Sequence, residues 1–183
     1  TYYFSKLAQK LAANGTIQHF KTADGGSKEL LASLEAGELD VALLGSATPL
    51  QTDTITAKVI ERHHFKIVVA PDSPLAQKPA VAFRDLAHEK FIMHAEGFVH
   101  PVVFKNLSDV NQIKPEIIYR TNDVSVLKSM VHENVGIGFL TETSVTPADD
   151  LVVLDLLDEP QPIFYISLAY RKTQFFSPKQ QAL

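Results

Sequence analysis

Short apolar runs alternate with helical stripes between residues 90 and 140, and that alternation restricts the chain's fold more than anything else in it. Residues 90–94 read as a strand, 98–107 as a helix, and 116–120 as a strand ahead of the cap candidates Asn122 and Asp123. Val124, Leu127 and Val131 then fall at i, i+3 and i+7, Val135-Gly136 ends that helix, and Ile137-Gly138-Phe139-Leu140 is a further strand. An earlier block repeats the pattern. Tyr3, Leu7 and Leu11 share one helical face before Asn14-Gly15, residues 17–22 alternate at period two, and Asp24-Gly25-Gly26-Ser27 breaks the chain. Leu30, Leu31 and Leu34 resume a helical stripe that stops at Gly37, and residues 39–45 form an apolar run of the kind buried on both faces of a parallel sheet. Residues 17–45 are therefore a βαβ unit.

Extended runs at 55–60 and 64–70 separate the two blocks, residues 83–88 turn helical, and late strands are expected at 151–157 and 163–170. Ser177-Pro178 pairs a cap with an N1 proline at the edge of the chain. The prediction is an α/β fold of two Rossmann-like lobes joined by two crossover strands, with a cleft between them. Residues 1–70 form the first part of lobe I, 71–159 lobe II, and 160–183 the return to lobe I. A length of 183 residues permits one domain or two such lobes.

Composition removes several function classes. Seventeen Lys and Arg against 21 Asp and Glu leave a net charge of −4, which lacks the basic footprint of a phosphate-binding surface. The absence of cysteine removes disulfide scaffolds, thiolate metal sites and cysteine nucleophiles. No run of 18 apolar residues is present, and the opening Thr1-Tyr2-Tyr3-Phe4-Ser5-Lys6 is not a basic segment followed by an apolar one. No membrane partner is expected. With no initiator Met and a helix already under way at residue 2, the chain is expected to start inside a larger protein.

Four segments resemble the effector-binding (regulatory) domain of LysR-type transcriptional regulators, in the family's order. They are Leu31-x-x-Leu34-x-x-Gly37-Glu38-Leu39-Asp40-Val41-Ala42-Leu43, then Val69-Ala70-Pro71-Asp72-Ser73-Pro74-Leu75-Ala76, then Phe83-Arg84-Asp85-Leu86 with Phe91-Ile92, and Val135-Gly136-Ile137-Gly138-Phe139-Leu140. Thr141 stands where the family commonly has proline. The resemblance implies a type II periplasmic-binding-protein-like fold and a small-molecule effector, an organic acid or amino acid, held between the lobes. It further implies a cytoplasmic protein, a homodimer or tetramer with the first helix against the partner's 124–131 helix, and DNA binding only through a helix-turn-helix domain outside this chain. No cofactor and no enzymatic activity are implied. The alternative sharing the fold is an extracytoplasmic solute-binding protein that feeds a transporter.

In such folds ligands meet strand ends and helix N-termini, where free N–H groups attract polar or anionic groups. Four ends qualify: Thr1 with Tyr2, the loops 23–27 and 95–98, and the turn 121–123. The resemblance implies effector contacts there, which makes Thr1, Asp24, Ser27, Glu96, Gly97, Thr121 and Asn122 the candidates, with Gly45, Ser46, Ala47, Phe139 and Leu140 as walls. Ser, Thr and Asn at such places otherwise serve as caps. Asp24 and Glu96 beside the cleft would repel an anion unless helix ends or Arg120 compensate, so a ligand with an amine or hydroxyls alongside any carboxylate is expected. His63 and His64 are adjacent on a strand and point to opposite faces, against a shared metal. His94, His100 and His132 are scattered without acidic or thiolate partners. Ser129 and His132 lie at i and i+3, but no nucleophile elbow, P-loop or H-E-x-x-H accompanies them.

Overall fold

The computed structural model describes residues 25–173 together with Gln9 and Ala23. The expected first helix, the strand at 17–22 and the helix start at Ser177 lie outside the described residues. Helix α1 is Ser27–Ala36, followed by β1 at Val41–Ser46 and β2 at Ile55–Val69. Then come β3 (Ala80–Val81), β4 (Lys90–His94), α2 (Val99–Asn111) and β5 (Glu116–Thr121). The remaining elements are α3 (Val124–His132), β6 (Ile137–Thr141), β7 (Val152–Leu156) and β8 (Ile163–Arg171).

The strands run in the order β1-β8-β2-β6-β4-β5, with β7 pairing β2 and β3. Strand β2 joins the two halves. It pairs with β8 from Ile55 to His64, then with β6 from Phe65 and with β7 from Ile67. Its 15 residues reach about 50 Å at roughly 3.3 Å each, long enough to serve both halves. The two runs expected at 55–60 and 64–70 are thus one strand. The charged interval between them does not break it, because a bulge between Val59 and Glu61 absorbs the register change, Arg62 lies over the Tyr165 ring at 5.7 Å, and His63 finds carboxylate partners.

In the second half β5, β4 and β6 run parallel, and helices cover both faces. Phe65, Phe83, Phe91 and Phe139 pack under α2, whose Phe104 meets the last three of them, while Val68, Ile92 and Leu140 pack under Leu127 and Val131 of α3. Phe91, Ile92 and Met93 are consequently sealed on both faces, as the unbroken apolar run in β4 requires. Strand β1 differs from its expectation. It lies antiparallel to β8 with alternating burial, Ala42, Leu44 and Ser46 inward; Leu34 of α1 closes that face over Leu44 and Ala169. The helix expected at 83–88 is a single 3-10 turn, Phe83–Leu86, whose Phe83 and Leu86 plug the second core.

Candidate functional site

Strands β4 and β5 end side by side, with His94 in register with Thr121, and the chain passes from them into α2 and α3. The Ala95 N–H donates to the Thr121 carbonyl at 3.0 Å, fixing the two loops together. The start of α1 faces them from the first half. A Cβ on Gly26 would lie 2.6 Å from the Gly97 carbonyl oxygen, so the two loops touch backbone to backbone and only a residue without a side chain fits. Gly97 itself sits at φ +95°.

A cavity of about 240 Å³ opens beside this contact, with Ser27, Lys28, Leu31, Gly45 and Ala47 on one wall and Gly97, Phe98, Val99 and Val102 on the other. Ser27 Oγ accepts the Gly45 N–H at 2.9 Å, tying the α1 N-terminus to the end of β1. Gly45 is required for space, since a Cβ there would lie 2.4 Å from the Phe164 ring. Neither α1 nor α2 has a side-chain cap; α2 carries no acid in its first turn, whereas α1 carries Glu29. The start of α2 and Lys28 therefore present positive potential to an otherwise apolar cavity, with Glu29 offsetting the start of α1, which suits a ligand with an anionic end and an apolar body.

Behind the second wall lie His94 and His100, 4.4 Å apart between ring centroids. Phe98 stacks on His94 at 4.9 Å, Phe65 meets His100 edge-on at 5.3 Å, and Phe164 lies 5.7 Å from His100. Burial lowers the His94 pKa against the opposing pull of a backbone hydrogen bond at Thr121. The His100 pKa falls well below the usual value, through burial first and the neighbouring His94 second. The pair corrects the reading of these histidines as scattered. One closes a strand and the other opens the next helix, so a single strand-to-helix turn brings them together.

Of the residues singled out from sequence, Ser27, Gly45, Ala47 and Gly97 meet at the cavity. Ser46, the last residue of β1, is buried, and its hydroxyl has no partner. Glu96 is turned outward, held 3.1 Å from Arg120, whose guanidinium also donates to the His94 carbonyl at 3.3 Å. Its charge is thus compensated, and the case for an amine on the ligand loses half its basis. Thr121 Oγ1 accepts the Asp123 N–H at 3.0 Å, the Asp123 carboxylate caps α3 through the Ser125 N–H, and Asn122 is exposed. Phe139 is not a wall of the cleft. It is fully buried and stacked on Phe65 at 4.9 Å, because β6 is a central strand. Leu140 is likewise sealed, under α3. Thr1 and Asp24 lie outside the described residues.

Ser125, Ser129 and His132 line a second, polar cavity of about 290 Å³ with Lys128 and Asp149. Lys128 is already ion-paired with Asp149 at 2.7 Å, and the bonds from Lys128 and the Thr146 backbone lower the Asp149 pKa. Among the described residues no group of three metal-binding side chains converges, and no helix is long and apolar enough to cross a membrane.

Residues 2–183 match the family model described as LysR substrate binding domain. The malolactic fermentation system transcriptional activator of Lactococcus lactis subsp. lactis (strain IL1403) is 27% identical over 158 residues, 86% of this chain and 54% of that protein. The uncharacterized HTH-type transcriptional regulator YwbI of Bacillus subtilis (strain 168) is 27% identical over 178 residues, 96% of this chain and 58% of that protein. The chain thus spans a little over half the length of these curated relatives. Among solved structures, the effector binding domain of QuiR in complex with shikimate matches at a TM-score of 0.80 and 20% identity, over 96% of this chain and 85% of that one. The Synechocystis PCC6803 CcmR regulatory domain in complex with 2-PG matches at 0.82 and 17%, over 99% and 87%.

Proposed function

The chain belongs to the LysR substrate binding domain family, and from that premise we propose that it is the sensing half of a cytoplasmic transcriptional regulator. Its effector is a small organic acid held between the two halves. The observation that carries this reading is the cavity itself, lined from opposite halves by the starts of α1 and α2 and by Lys28. Ser27, Gly45 and Gly97 are the contacts we assign to the effector, with Glu96, Thr121 and Asn122 at the ends of β4 and β5; Thr1 and Asp24 are kept as candidates on the sequence alone. Residues 71–159 form the moving lobe against 1–70 with 160–183.

The chain's net charge of −4 argues that DNA contacts come from another segment of the whole protein, the helix-turn-helix that the relatives' names describe. A homodimer or tetramer would carry the signal. An effector needs only different affinities for the two arrangements of the halves, and a coupling of about 1–3 kcal/mol is typical. The reading assigns the chain no catalytic step and no cofactor.

Thermal shift across a panel of small organic acids tests this directly. At least one acid is expected to raise the melting temperature of the chain. Val102→Trp, at a half-exposed cavity position, should abolish that rise while changing the unliganded stability by no more than about 0.5 kcal/mol. A rise that survives Val102→Trp would put the acid somewhere else.

A further inference from the structure

His94 and His100 are 5% and 6% exposed, and three of their four ring nitrogens, Nδ1 of His94 and both of His100, have no hydrogen-bond partner. Unpartnered buried polar atoms are costly to a fold, and aromatic residues in the same cage would avoid that cost. The pair sits directly against the cavity. Phe98 lines the cavity and stacks on His94, while Val99, also in its wall, immediately precedes His100 in the first turn of α2.

We infer that His94 and His100 make this cleft selective for organic acids by taking up one proton between them when the anion binds. This deepens the effector reading above and rests on it. The charges around the pair are few. Its own loop supplies Glu96, which is neutralised by Arg120 from β5, and α1 supplies Lys28 across the cavity, with Glu29 beside it in the same first turn. Strands β2 and β8 present Phe65 and Phe164 to the rings. Among the described residues no carboxylate pairs with either imidazole.

In the empty cleft, burial and the positive end of α2 both disfavour an imidazolium. An anion beside Gly97 and Val99 supplies the counter-charge that the wall lacks. The proton comes from solvent and sits on an unpartnered ring nitrogen. At 4.4 Å between centroids, a modest ring rotation lets the protonated ring donate to a free lone pair of the other. Neutral esters or amides of the same acid cannot offset that proton and bind weakly.

Calorimetric titration of the 183-residue chain with shikimate, succinate and benzoate, each in phosphate and in Tris buffer, measures proton uptake from the difference in apparent heat. An acid that binds is expected to carry on the order of one proton with it, and its affinity to fall towards tenfold per pH unit above the bound-state pKa. His94→Phe and His100→Phe should each lose the uptake. Should either variant fail to fold, ring-nitrogen NMR of the histidine-labelled wild type must still show this pair moving from neutral to protonated as the acid is added. Binding without uptake, or uptake retained in both variants, overturns the inference and leaves the effector reading standing. If none of the three acids binds, both fall together.

Discussion

His63 and the His94/His100 pair are buried almost equally, 9% against 5% and 6% exposed, yet their surroundings are opposite. His63 Nε2 lies 2.9 Å from Glu61 and its Nδ1 3.5 Å from Glu142. Glu142 also reaches Lys66 at 3.8 Å, and Lys66 reaches Asp155 at 2.5 Å. That histidine joins β2 to the loop after β6 in a charge network, at the point where the long strand passes from one half to the other. The pair behind the cavity has phenyl rings where His63 has carboxylates. The contrast teaches that a buried histidine is defined by what its nitrogens can reach. At His63 the fold supplies carboxylate partners; behind the cavity it leaves three ring nitrogens open.

The largest expected effect comes from Phe65, which stacks on Phe139 and closes the cage over His100. Phe65→Ala should cost about 3–5 kcal/mol in chemical denaturation. A hole at this point also lets water reach the His100 nitrogens, so the variant should lose part of the acid sensitivity described next. A loss under about 1 kcal/mol would mean that the cage is not rigid, and the contrast with His63 would weaken.

Acidification comes second. Unfolded histidine titrates near pH 6.5, whereas His94 and His100 have lowered pKa values in the fold. Between those limits the unfolded chain binds more protons, so stability is complete above about pH 6.5 and falls as the pH drops, by up to about 1.4 kcal/mol per pH unit for each ring. Across thermal melts from pH 7.5 to pH 5, the wild type should therefore lose more stability towards acid than His100→Phe, so that the two curves diverge on the acid side. Parallel curves would remove His100 as a buried neutral base.

Periodicity made most of this architecture legible. The stripe Val124, Leu127, Val131 is α3, and the unbroken run in β4 is a strand sealed on both faces. The errors arose where tertiary partners override local chemistry. Glu61-Arg62-His63 looks like a break, but an aromatic ring and two carboxylates carry it through as strand. Phe139 looks like a possible wall, but strand order puts it in the middle of the sheet. The loops of the site could be read, because glycines and cap residues mark strand-to-helix turns. The histidine pair could not, since nothing in residues 94–100 shows that both rings turn inward.

Removing a carboxylate should act oppositely at the two places. Glu142→Gln takes one partner from His63 and Lys66, and with Glu142 itself 37% exposed the loss in denaturation should be about 0.5–1 kcal/mol, with no change in acid binding.

Glu96→Gln is the smallest change and the sharper test. Glu96 is 76% exposed and Arg120 37%, so breaking their pair should move stability by no more than about 0.5 kcal/mol. It also releases a guanidinium that donates to the carbonyl of His94, at the edge of the loop that walls the cavity. Affinity for an anionic probe should then rise, most clearly at low ionic strength, where Arg120 is least screened across the cleft mouth. Loss of affinity instead would make Glu96 a ligand contact, and the second half of the cleft would resemble the surroundings of His63. An unchanged affinity at every salt concentration would confine anion recognition to Lys28, the two helix ends and the histidine pair.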